Sequence, residues 1–328
     1  MRNRGCFVAL LLGTSATLAG CSGGGGSGGM AASRAGNAPA DQVLASAGSA
    51  AKVLAGGTKL TASQRTSSGI TRDYDKETAD LSKDTKAKVS RNASGALTLE
   101  AAGRTIVFAP GDLTADGNGF EQLDDAGIWA WNEDTMAQQL DPARPASSMV
   151  FDYYVNSTEV NGGQNGFLIV GTETDPATLA ALPTASYTGR SRIRVAPTTG
   201  FVNFPTSVAE ARGDLAMTAN FGAGTVSGSI SDLEGRAPRL EDPTRTWSAV
   251  PGALALNPAA ISGNGFTGSV SADADFAANI GTAGADSSYS GTFFGTGASE
   301  VAGGINLKGT AAETGQGYVG WGFFQGDK

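Results

Sequence analysis

Residues 287–324, SSYSGTFFGTGASEVAGGINLKGTAAETGQGYVGWGFF, decide the fold. Three runs of aromatic and β-branched residues (289–294, 300–308 and 318–324) stand between glycine-containing turns. In the second run Val301, Gly303, Ile305 and Leu307 share one face, and Glu300, Asn306 and Lys308 the other. A period of two is the signature of a half-buried strand. Three such strands in close succession predict an antiparallel meander that closes a sheet.

Reading back from this stretch, the same alternation recurs. Tyr187, Gly189, Ser191, Ile193 and Val195 alternate with Thr188, Arg190, Arg192 and Arg194. Strands are expected over 212–221 and 225–233. A weaker one is expected between 247 and 256, and another over 265–274. With the closing three this makes eight, the number at which a small closed barrel just fills with side chains. Glycine recurs on the apolar face, at Gly189, Gly228, Gly268, Gly291 and Gly303. Glycine inside a strand costs stability, so a run of them on one face implies a narrow, tightly curved barrel with a packed lumen. A ligand would then bind at loops or on the outer face, with 198–210 and 234–245 as the loops to search. Arg190, Arg192 and Arg194 lie opposite the packed face and are the ligand-binding candidates. Such a stripe is either solvated surface or a contact for an acidic partner or a neighbouring subdomain.

Upstream, 104–108, 147–154 and 167–172 read as strands, Trp129 and Trp131 alternate as on another, and 175–182 is a connector ended by Pro183. Residues 101–183 are therefore expected to form a small β-rich handle subdomain and 184–328 the barrel. Residues 21–100 start with SGGGGSGG after Cys21 and stay rich in Ala, Ser, Gly, Lys and Asp. They are read as a flexible, mostly disordered tether. Residues 1–20 have the basic start, short apolar run and small-residue end of a secretory signal. The expected class is all-β.

Leu18-Ala19-Gly20-Cys21 resembles the bacterial lipobox. That resemblance implies cleavage before Cys21, acylation of its sulfur and anchoring in a lipid bilayer. Ser22 after it points to the outer membrane. The alternative is an ordinary signal peptide that contains a cysteine.

Composition excludes several chemistries. The chain has no histidine, and its two cysteines are Cys6, inside the leader, and Cys21. Ser-His-Asp and Cys-His catalysis and His-ligated zinc or haem are absent. The net charge is −8, and −10 once Arg2 and Arg4 leave with the leader. Such a balance argues against nucleic acid, whose phosphates need Lys and Arg. No cofactor and no enzymatic activity are expected.

Shorter matches carry little. Asp112, Thr114, Asp116, Gly117 and Asn118 imitate a calcium loop, but its twelfth position is Leu123 rather than glutamate. Asn92 and Asn156 open glycosylation tripeptides, which are chance matches in a bacterial lipoprotein. Gly263, Gly265 and Gly268 fit G-x-G-x-x-G, but a strand runs through them where a helix should open. Arg212-Gly213-Asp214 sits at a strand start. Tyrosines 153, 154, 187, 289 and 318 are read as strand packing rather than haem ligands.

Residues 166–189, GFLIVGTETDPATLAALPTASYTG, resemble the handle-to-barrel junction of transferrin-binding protein B lobes and related smaller lipoproteins. Gly171, Thr172, Leu182, Pro183, Ala185, Tyr187 and Gly189 fill the positions of that junction. The closing stretch matches too, with Gly322-Phe323-Phe324-Gln325-Gly326 standing where the family carries a phenylalanine-glycine-glycine run. The resemblance covers residues 104–328. It implies one handle followed by one eight-stranded barrel on an outer-membrane lipoprotein shown at the cell surface. It further implies an extracellular protein, haem or iron-carrier ligand, and a TonB-dependent receptor or lipoprotein translocator as partner. Its motifs specify turns and packing, so no binding residue carries over. A structural or envelope-interaction lipoprotein without a small ligand is the alternative.

Overall fold

The computed structural model describes residues 147–155, 164–197, 208–237 and 246–328, together with the seven strands before residue 147 named below. The barrel consists of β10 (Ala185–Pro197), β11 (Glu210–Asn220), β12 (Thr225–Arg236), β14 (Leu254–Ser262), β15 (Gly265–Ala272), β16 (Ser288–Phe294), β17 (Glu300–Thr310) and β18 (Gly317–Asp327). β13 (Ser248–Ala249) is a two-residue ribbon beside β12. The order is β11-β10-β18-β17-β16-β15-β14-β12, and β12 pairs back onto β11, so the eight antiparallel strands close.

The expected inner faces point inward. Tyr187, Leu215, Val226, Phe266, Tyr289, Val301, Ile305 and Phe324 belong to one buried cluster. Phe293 stands at its centre, with ring centroids 5.0 Å from Phe221, 5.4 Å from Phe266 and 6.0 Å from Tyr187. The glycines make room for these rings: a Cβ at Gly291 would stand 2.6 Å from Phe266 Cζ, and one at Gly268 2.5 Å from Tyr289 Cε1. Two short helices add apolar side chains at opposite ends. α1 (Pro176–Leu179) begins with Asp175 accepting from Ala177 N–H at 3.0 Å and buries Leu179. α2 (Ala274–Asn279), capped by Asp273, buries Phe276 and Ile280.

The fourth barrel strand is displaced from the expected 247–256. Leu254 and Leu256 supply its inward side chains, while Trp247 lies outside the barrel core. Pro258 fits because the pairing slips around it, between Val226 and Gly228 on one side and between Leu256 and Ile261 on the other. Proline lacks the N–H that a regular ladder needs, so a bulge is where it sits inside a sheet.

The handle is a six-stranded sheet in the order β2-β1-β9-β8-β7-β6. Its strands are β1 (Val53–Thr66), β2 (Gly69–Ser82), β6 (Gly119–Gln122), β7 (Ile128–Asn132), β8 (Ser148–Val155) and β9 (Gln164–Gly171). Two differences from the sequence reading stand out. Part of the expected tether is strand: β1 pairs with β9 from Val53↔Val170 to Lys59↔Gln164, and β2 pairs with β1. An open sheet edge offers a full row of backbone partners, so a weakly patterned segment can add to it. The segment 104–108 is a strand as expected (β5, Arg104–Phe108), but it joins β3 (Lys88–Arg91) and β4 (Leu97–Ala101) in a separate three-stranded sheet. Cys21, the rest of the tether before residue 53 and the segment 112–118 lie outside the described residues.

Val150, Phe167 and Ile169 of the handle pack on the outside of the barrel against Ala196, Phe294, Ala302, Val319, Trp321 and Phe323. The nominally wet face of β17 is therefore covered, and Glu300 and Asn306 are buried.

Candidate functional site

Three consecutive strands place charge on the outer face of the barrel, at the end that carries α2. Register sets Arg194, Glu210 and Arg236 side by side across β10, β11 and β12, and Arg192, Arg212 and Glu234 side by side in the next row. Such cross-strand neighbours are close enough to pair. The Glu210 carboxylate accepts from Arg192 Nε and from Arg236 Nε, the latter at 2.6 Å, with Arg194 Nε 4.0 Å away. Arg212 Nε donates to Glu234 at 2.7 Å. Trp247 lies beside this grid, its ring centroid 4.4 Å from the Arg212 guanidinium carbon and 4.5 Å from that of Arg236.

Glu210 is the electrostatic centre. Its side chain is 3% exposed. Burial by itself would raise its pKa, but the guanidinium charges of Arg192, Arg194 and Arg236 and the hydrogen bond from Arg236 prevail and hold it at about 2. It is a carboxylate under all ordinary conditions, and it fixes the guanidiniums around it.

The predicted stripe is thus divided between two jobs. Arg192 clasps Glu210. Arg194 lies 5.2 Å from the Phe167 ring of the handle, and Arg190 lies 5.5 Å from the Phe323 ring and donates to Gln325 Oε1 at 3.4 Å. Arg194 thus meets the adjacent subdomain, while Arg190 and Arg192 are held by barrel residues. The loops named from the sequence contain Glu210, Glu234 and Arg236, but nothing in the sequence joined them to Arg212 and Trp247, because their common ground is a strand register that only pairing creates. Of the two loops singled out, 198–210 and 234–245, only residues 208–210 and 234–237 are described.

A second polar centre lies at the handle–barrel junction. Glu300 accepts from Ser147 N–H, from Ser148 N–H at 2.8 Å and from the Ser148 hydroxyl at 2.7 Å. Gln325 Nε2 donates to the same serine's hydroxyl and carbonyl. Burial raises the pKa of Glu300 against the pull of its three donors, with Asp327 adding to the rise. This junction holds two subdomains together.

The tyrosines are structural. Tyr187, Tyr289 and Tyr318 donate to the carbonyls of Ala298, Asn257 and Thr282, and burial pushes Tyr289 up to about 12. Such phenols are poor metal ligands. Among the described residues no group of three or more Asp, Glu, Cys or His could hold a metal ion. Gly263 and Asn264 form a tight β14–β15 turn that opens a strand and no helix, and Arg212-Gly213-Asp214 runs inside β11 at a register shift. An open groove of about 480 Å³ crosses the outer face at the α1 end, lined by Ser186, Thr188, Thr218, Ser227 and Asn257. It carries no charge.

Comparison with known proteins bears on this architecture. Similar solved structures include the intact Ap-TbpB with N and C lobes, at 15% identity over 76% of this chain and 46% of that one, TM-score 0.42. A transferrin-binding protein B of Haemophilus parasuis is 18% identical over 84% of this chain and 45% of its own, TM-score 0.43. That of serogroup B Neisseria meningitidis is 15% identical over 84% and 43%, TM-score 0.40. This chain thus spans less than half the length of each. No curated protein matches the sequence. The family model describing the C-lobe and N-lobe β-barrels of transferrin-binding protein B matches residues 182–322, from the connector through the last strand. Residues 182–322 thus form a β-barrel similar to those of the C-lobe and N-lobe of transferrin-binding protein B.

Proposed function

We propose that this chain is a non-enzymatic lipoprotein of the outer membrane, displayed at the cell surface, that captures a ligand on the outside of its handle-plus-barrel module. The observation that carries this reading is the filled lumen: aromatic rings around Phe293 occupy the space where a barrel would hold a small molecule. Binding then falls to the outer faces and loops. Similarity to transferrin-binding proteins supports an extracellular protein as ligand, with iron-carrier or haem capture as the finer form of the idea. Acylation of Cys21 supplies the anchor. A TonB-dependent receptor would take the cargo onward, or a translocator would deliver the lipoprotein to the surface.

Protease shaving of intact cells, alongside labelled palmitate incorporation, tests display. Loss of the protein from intact cells and label lost in Cys21→Ala support it. Resistance until lysis overturns display, and label retained in Cys21→Ala overturns the anchor. Growth on haem or iron-loaded transferrin as sole iron source, with and without the gene, tests iron capture; identical growth overturns it.

A further inference from the structure

The chain is acidic overall, yet its barrel is polar in charge. All seven arginines of residues 185–328 fall between 190 and 245, where they meet six Asp and Glu. Residues 246–328 carry two lysines against six acids. Among the described residues of the barrel, this arginine charge stands on β10–β12: Arg190, Arg192 and Arg194, Arg212, and Arg236.

That face has the make-up of a binding site. The buried Glu210 holds Arg192 and Arg236 by hydrogen bonds and Arg194 by charge, so their entropy of ordering is already spent. Arg212 and Glu234 are 39% and 43% exposed. Trp247, half-buried, is in contact with two guanidiniums, those of Arg212 and Arg236, which holds a large flat ring at the surface. Rigid Trp and Arg side chains are the residues that carry most energy in protein interfaces.

We infer that the Arg212–Trp247–Arg236 face docks an acidic protein surface, one that presents carboxylates to the guanidiniums around an apolar contact for the indole. The inference rests on the capture reading above and names the kind of partner. A uniform polyanion fits less well. Glu234 interrupts the positive rows beside Arg212. A folded protein can set its acids between such charges and avoid Glu234.

The test uses the full chain in detergent and a soluble random copolymer of glutamate and tyrosine as probe, followed by isothermal titration at low salt. Heparin and phosphatidylglycerol vesicles are the comparison arms. The copolymer is expected to bind with an affinity that falls as salt rises. Arg212→Gln and Trp247→Ala should each weaken it about tenfold, while Lys308→Gln leaves it unchanged. Thermal unfolding establishes that each variant is folded, and if one is not, the other decides. No binding of the copolymer, unchanged binding by the folded variants, or equal binding of heparin or vesicles would overturn the inference. Failure of surface display overturns the function proposed above and leaves this result standing, so the two are separable.

Discussion

Glu210→Gln removes the carboxylate that Arg192, Arg194 and Arg236 face, while keeping the shape of the side chain. A carboxyl held at about 2 in the folded chain, against 4.5 when unfolded, contributes about 3 kcal/mol to stability at neutral pH. The group is almost wholly buried, so solvent screening discounts little of this. Its folded pKa is depressed, so the contribution is fully present above pH 4.5 and fades as pH falls through about 2. Urea unfolding of wild type and variant across that range is the assay. The wild type is expected to be the more stable by about 3 kcal/mol near pH 6. The gap should narrow below pH 4.5 and close only as pH falls below about 2, where a protonated glutamate is as neutral as glutamine. A gap that stays constant over the whole range would refute the reasoning, since the carboxylate's charge would then be contributing nothing.

Three further outcomes follow from packing. Phe293→Ala opens a cavity among Tyr187, Phe221 and Phe266 and should cost about 3–5 kcal/mol by denaturant unfolding. Gly291→Ala puts a methyl 2.6 Å from Phe266 Cζ and 2.8 Å from the Ala302 carbonyl, and should cost about 1–3 kcal/mol, read as a lower melting temperature. Glu300→Ala strips Ser147 and Ser148 of the acceptor for their N–H groups at the handle junction. A loss of about 2–3 kcal/mol is expected, with faster limited proteolysis between handle and barrel.

Much of the barrel was legible in the sequence. A strand's side chains alternate by rule, so Val301, Ile305 and Leu307 on one face, with glycines interleaved, mark an interior without reference to any neighbour. Where that rule weakens, the reading drifts. β14 was displaced because Pro258 interrupts its alternation, and its slot depends on bulges opposite β12 and β15. β1 and β2 were taken for tether because their strand state comes from the edge of β9. The candidate surface was half visible: the Arg190, Arg192 and Arg194 stripe could be read along one strand, but its partners lie elsewhere in the chain, Glu210 18 residues from Arg192 and Gln325 135 residues from Arg190.

Taken alone, the sequence determined the all-β class, seven of the eight barrel strands with their inward faces, the closing meander and the chemistries that a histidine-free chain excludes. Each follows from local periodicity or composition. Tertiary structure alone decided which outward faces stay wet. The handle covers β17 and β18 and buries Glu300, and lateral register turns scattered Arg, Glu and Trp residues into one charged grid around Glu210. Burial of an outer face and pairing across strands depend on what packs alongside, and a single strand's pattern carries no record of its neighbour.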